Sequence, residues 1–233
     1  VTVDVWVNGA VTLDDFTPGT LAGPPERAPG PYTVAITAAD ATDASAPAIG
    51  PVDLTLAANT SYTTVAFLDA AGKPTAALFT NDTSATKAGE GRLTVRHVAA
   101  APAVDVLAGG TAVVSGLENG KEATLNLSAG TVSAAVAAAG TTAPLLGPAD
   151  VPVTDGTLTV VYAWGSLEAG NLALATQTVA ASHSAPDGVP TGEVFVPEGG
   201  LGTAGTIGLG LALAAAAAGA VVISRRTRSD SAV

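Results

Sequence analysis

The sequence predicts an all-β protein: two tandem antiparallel β-sandwich domains followed by one C-terminal transmembrane helix. Three observations carry this expectation. Short runs of alternating apolar and polar residues recur, punctuated by Gly, Pro and Asn. The pattern of the first part of the chain returns about a hundred residues later. Near the end, residues 203–223 carry no charge and are followed at once by Arg225, Arg226 and Arg228.

Val1, Val3, Val5 and Val7 alternate with Thr2, Asp4, Trp6 and Asn8, the period of a half-buried strand. Asn8-Gly9 then offers the positive φ angles of a two-residue hairpin, and Gly109-Gly110 does the same after Val104-Asp105-Val106-Leu107. Strands are expected at Tyr32 to Thr37 and Val132 to Val136, each entered through Gly. Asp53 to Leu56 and Ser61 to Phe67 follow, joined by a turn at Ala58-Asn59, with Thr154-Asp155-Gly156 as the later equivalent. Ala134 to Ala139 would suit a helix on propensity alone, but alignment with Val34 to Ala39 makes it a strand. Short, evenly spaced strands of this kind build a sandwich or Greek-key barrel.

The internal alignment extends from Val3-Asp4-Val5 with Val104-Asp105-Val106 to Tyr62–Phe67 with Thr159–Trp164. It divides the chain into a first repeat (1–80), a linker (81–90) and a second repeat (91–180). The second repeat opens with an additional strand, Arg92 to Val98, for which the first has no counterpart. The first repeat is therefore expected to be N-terminally truncated, with a sheet left incomplete or completed by another segment.

Residues 181–202, rich in Pro, Gly and Ser, read as an extended stalk. Residues 203–223 would span roughly 32 Å as a helix, enough for a hydrocarbon core of ~30 Å. Ile207, Leu209, Leu211, Leu213, Val221, Val222 and Ile223 supply the apolar drive, together roughly −2 to −4 kcal/mol on an insertion scale. Arg225, Arg226 and Arg228 hold the tail 224–233 in the cytoplasm and leave the repeats outside. A sorting signal for covalent cell-wall attachment is the alternative reading, although Leu201-Gly202-Thr203-Ala204-Gly205 lacks Leu-Pro-x-Thr-Gly.

Ahead of the anchor, six cations against nineteen acids leave a charge of −13. That field disfavours nucleic acid as a partner. There is no cysteine, and hence no disulfide, thiolate nucleophile or Cys-bound metal.

Leu93-Thr94-Val95-Arg96-His97-Val98-Ala99-Ala100-Ala101-Pro102-Ala103-Val104-Asp105-Val106 resembles the opening signature of domain-of-unknown-function family 4397. The resemblance implies an Ig-like or transthyretin-like sandwich in a secreted or surface-anchored bacterial protein. It implies no catalytic residue.

The residues agree with that last point. His97 is expected to bond to backbone at its strand, and His183 lies in the stalk beside Ser184 and Asp187, where no triad can be preorganised. Asp14-Asp15 and Asp40 with Asp43 do not match a Ca²⁺-loop spacing. No catalytic residue, metal or cofactor is expected. One binding candidate stands out: Trp6 shares a face with Asp4, and an exposed indole beside a carboxylate could stack on a sugar ring. The competing reading packs Trp6 under another segment.

The expected function is non-enzymatic: a single-pass protein of the bacterial cell membrane that displays two extracellular modules in a structural or interaction role. Its partners would be the membrane and an unidentified extracellular ligand or envelope component. A carbohydrate- or protein-binding adhesin is the alternative, and a surface hydrolase the third.

Overall fold

A computed structural model describes residues 1–23 and 25–180. The expected stalk, membrane span and basic tail, with every anchor residue named above, lie outside the described residues. The described residues form strands and connections without a helix.

The first strands are β1 (Val3–Val7), β2 (Ala10–Phe16), β3 (Gly30–Ala38) and β4 (Ile49–Leu56), paired in the order β2-β1-β3-β4. Asn8 and Gly9 have φ of 51° and 77°, as a type I′ hairpin requires. Next come β5 (Ser61–Leu68) and β6 (Pro74–Asn81), which among the described strands pair only with each other.

The remaining strands are β7 (Glu90–Ala100), β8 (Val104–Ala108), β9 (Thr111–Leu117), β10 (Lys121–Ser128), β11 (Gly130–Ala138), β12 (Pro144–Val153), β13 (Thr157–Ser166) and β14 (Ala173–Ala180). They form two sheets, β12-β11-β8-β9 and β10-β7-β13-β14. Leu93 and Val95 of β7 and Val161 and Ala163 of β13 meet Val104, Val106, Val136, Val151 and Val153 of the facing sheet. Burying each such Val or Leu contributes roughly 1.5–3 kcal/mol. Two expectations change here. The sheets are not wholly antiparallel, because β7 and β13 run parallel from Arg92 with Leu158 to Ala100 with Ser166. The long chain between them, which builds the opposite sheet, allows this. Asn81 also closes β6 instead of opening a linker, so the connection runs 82–89. The Ala-rich stretch is strand β11, as its alignment required.

The order β2-β1-β3-β4 matches β9-β8-β11-β12, and hairpin β5-β6 matches β13-β14. Gly50-Pro51 and Gly147-Pro148 are cis peptides at equivalent places. Among the described residues the first half has six strands and the second eight, the difference being β7 and β10. These two pair with each other, so a segment at β10's position has no ladder to join without a β7 neighbour. Residues 17–29 occupy that place in sequence, and those described form no strand.

Buried aspartates brace both halves. Asp105, at 5% exposure, accepts the N–H of Gly116 at 2.7 Å and of Gly140 at 2.8 Å. Asp4, at 2%, accepts the N–H of Asp15 at 2.9 Å. Asp15 and Gly116 both sit at positive φ, 50° and 67°, where β2 and β9 bulge. Asp105→Ala orphans two backbone donors and should cost about 2–4 kcal/mol, against about 1–3 kcal/mol for Asp4→Ala. Urea denaturation measures both, and Asp105→Asn, which keeps one acceptor, should recover roughly half of the loss.

Candidate functional site

Strand parity does place Trp6 and Asp4 on one face of β1, but that face is not open. Trp6 is 7% exposed, and its indole N–H donates to Thr37 Oγ1 at 2.9 Å. It pairs across the ladder with Ala35, whose small side chain leaves room for the ring. Leu107 occupies the same position in the second half and clusters with Ala135 and Ala137. An indole buried this far has no open face for a sugar ring; Trp6 is packed, as the competing reading has it, and fills space in the fold. Asp4 is committed to the bulge of β2. Its carboxylate also raises the pKa of exposed Asp14 beside it, with Asp15 and Asp40 adding to the effect. Among the described residues, no three His, Asp or Glu side chains converge to hold a metal.

His97 is 1% exposed in β7, and Nε2–H donates to the carbonyl of Pro102 at 2.9 Å. It bonds to backbone, as expected. Burial lowers its pKa from 6.5, and the carbonyls of Pro102 and Ala101 oppose that shift in part.

The richest polar constellation lies where the two halves meet, and sequence reading gave no hint of it. The outer face of β7 pairs with β10 through three rungs: Arg96 with Glu122, Thr94 with Thr124, and Arg92 with Asn126. Arg96 Nε donates to Glu122 Oε2 at 2.8 Å, the two Thr hydroxyls are 2.8 Å apart, and Arg92 Nε donates to Asn126 Oδ1 at 3.1 Å. The hairpin β5-β6 of the first half lies over this face. Arg96 Nη2 donates to Asn81 Oδ1 at 2.8 Å and Nη1 to the Tyr162 hydroxyl at 3.0 Å. Its guanidinium sits 4.5 Å from the Phe79 ring centroid and 5.5 Å from that of Tyr162. Such desolvated cation–π contacts are worth roughly 2 kcal/mol.

Arg92 fastens the connection between the halves. Nη1 donates to the carbonyls of Asp82 and Ser84 and lies 3.0 Å from Asp82 Oδ1. The Ser84 hydroxyl and N–H, with Arg92 behind them, hold the Asp82 carboxyl below its ordinary pKa. Apolar contacts extend the seam: Phe79, Val65 and Phe67 of the hairpin pack with Val98, Leu158, Val160 and Tyr162. Asn119 donates to the Leu68 carbonyl at 3.1 Å, and Trp164 lies so close over Gly19 that a Cβ there would collide with its ring. The seam fits structural interlocking; each polar group around Arg96 is spent on another.

Residues 1–107 match the family described as Domain of unknown function (DUF4397). The match runs through the first half and β7 into β8, and so contains the Leu93–Val106 signature. No curated protein matches the chain, and no solved structure does.

The Glu122 side chain is 32% exposed, so Glu122→Gln, which strands the buried Arg96 charge, should cost about 3 kcal/mol, the low end for a broken buried pair. Arg96→Met keeps the packing, removes the charge and should cost less; chemical denaturation ranks the two. Because the folded-state pKa of His97 lies below 6.5, the native state binds fewer protons than the unfolded chain. Its contribution to stability is present above pH 6.5 and is lost as pH falls towards the folded pKa. The loss of stability between pH 7.5 and pH 5, both values set for the assay at about one unit or more either side of histidine's ordinary pKa, should narrow in His97→Gln.

Proposed function

We propose that this chain is a non-enzymatic protein of the bacterial cell envelope. In this reading two copies of one β-sandwich module are interlocked and held at the membrane through residues 203–223, where they serve a structural or interaction role. The observation that carries it is the use made of the polar side chains. Asp4, Asp105, Arg96, Glu122 and His97 bond to backbone or to one another inside the fold. Repetition of the sheet order between the halves supports the tandem reading, and the match to DUF4397 supports the kind of module. The uncharged run with its trailing arginines supports single-pass anchoring, with the repeats outside.

Fractionation of a bacterial host that expresses the full chain tests this. The protein should sediment with membranes, dissolve only in detergent, and lose its repeats to protease added to intact cells. Leu213→Arg adds about 3 kcal/mol at the middle of the span, enough to cancel its marginal drive, and should release the protein. Release by a wall-degrading muramidase alone would replace the membrane anchor with covalent wall attachment. Recovery in the cytosol, shielded from protease, would overturn the proposal.

A further inference from the structure

We infer that the turn end of the second half is an acid-operated latch: protonation of His97 parts the turns gathered there and frees hairpin β5-β6 from Asn119. The last residues of β7 carry this end. The His97 carbonyl accepts the N–H of Gly120 at 2.7 Å, and the Ala100 carbonyl accepts that of Leu167 at 3.1 Å. Asn119 Nδ2 donates both to the Ala99 carbonyl at 2.6 Å and to the Leu68 carbonyl of β5 at 3.1 Å. Three turns of the second half and the hairpin of the first are thus fastened to one short stretch of backbone.

The His97 side chain sits within that stretch. It alternates with Leu93 and Val95, which places it on the inner face of β7, and it is 1% exposed. Nε2–H closes the turn onto Pro102, while Nδ1 is buried without a partner. A proton on Nδ1 would set a donor and a positive charge where neither meets an acceptor until water enters.

No neighbouring charge offers compensation. Directly across the ladder is exposed Lys121, whose ammonium opposes a second cation, and beside His97 on β13 is Ala163. The surrounding turns contribute Glu118, Asp69, Lys73 and Glu168, and β8 contributes Asp105, already bonded to Gly116 and Gly140. None of them bonds to the imidazole, and none enters its pKa, which burial lowers against the carbonyls of Pro102 and Ala101. Once the end opens and water reaches the ring, the pKa returns to 6.5, above its value in the closed fold. Opening therefore takes up a proton, and falling pH drives it from pH 6.5 down to the closed-state pKa. The change is local, because the Arg96 seam lies on the other face of β7 and Leu93 and Val95 lie nearer its start.

Hydrogen exchange read by mass spectrometry on the full chain in detergent tests this, from about pH 7.5 to about pH 5. His97→Gln is run beside it at each pH, so that the intrinsic pH dependence of exchange cancels. At the upper pH the two chains should exchange alike. At the lower, wild-type amides within 99–103 and 118–121 should exchange roughly tenfold faster than the variant's, while those of 91–95 and of β1 to β4 stay matched. His183→Gln should behave as wild type. If His97→Gln is itself loosened at the upper pH, the wild-type chain decides alone: the midpoint of its exchange change should coincide with the pKa of His97 read by NMR. Equal exchange at both pH values, acceleration spread evenly over the second half, or a midpoint apart from the His97 titration would each overturn the inference.

Discussion

Strand β7 is buried on both faces, from Gly91 to Ala100, and much of the structure depends on how that burial is achieved. Its inner face, through Leu93 and Val95, completes the core of the second half. Its outer face carries two arginines that could not stay charged in an apolar setting without partners. Glu122 supplies the counter-charge from β10, while Asn81 supplies a carbonyl and Phe79 a ring face from the first half. A strand that needs ligands from three directions ties together everything that provides them. Hairpin β5-β6 thereby has two roles, as the last element of one half and the cover of the next.

The internal comparison separates the effect of sequence from that of context. The first half keeps the buried Asp, the bulged second strand, the cis Gly-Pro and the closing hairpin of the second. What differs is a single neighbour. Where β7 lies beside β13, inward residues are buried and the β10 segment forms a strand. Among the described residues no such neighbour lies beside β5, equivalent residues are exposed, and those described between β2 and β3 form no strand. Strand pairing is cooperative in this sense: β10 has its ladder only through β7.

Much of the fold was legible because it rests on local chemistry. Asn8-Gly9 and Gly109-Gly110 declare their hairpins, and alternation declares β1, β3 and β5. Ala134 to Ala138 was legible only through its relation to Val34–Ala38. Ala123, Leu125 and Leu127 do alternate in β10, but the aligned region contains prolines at 18, 24, 25 and 29 and gave no second reading. The parallel pairing of β7 with β13 was also hidden, since alternation fixes the face of a residue and not its neighbour's direction. Trp6 shows the same limit: parity gave the right face, while its exposure depended on cover that parity does not describe. Arg96 counted only as one of six cations ahead of the anchor, because the groups that bury it come from elsewhere in the chain.

The register of the second half also governs how it hangs from the chain. β7 begins beside the start of β13, and β14 ends there, Leu158 lying across from both Arg92 and Val179. Entry and exit thus share one end of the sheet. The turns 101–103, 118–120 and 167–172 gather at the opposite end, joined by the β5-β6 turn through Asn119. Tension along the polypeptide would be applied at the shared end, prising strands apart one bond pair at a time and not shearing them in parallel. The module is mounted as a pendant rather than a link, with its far turns held away from the line of pull.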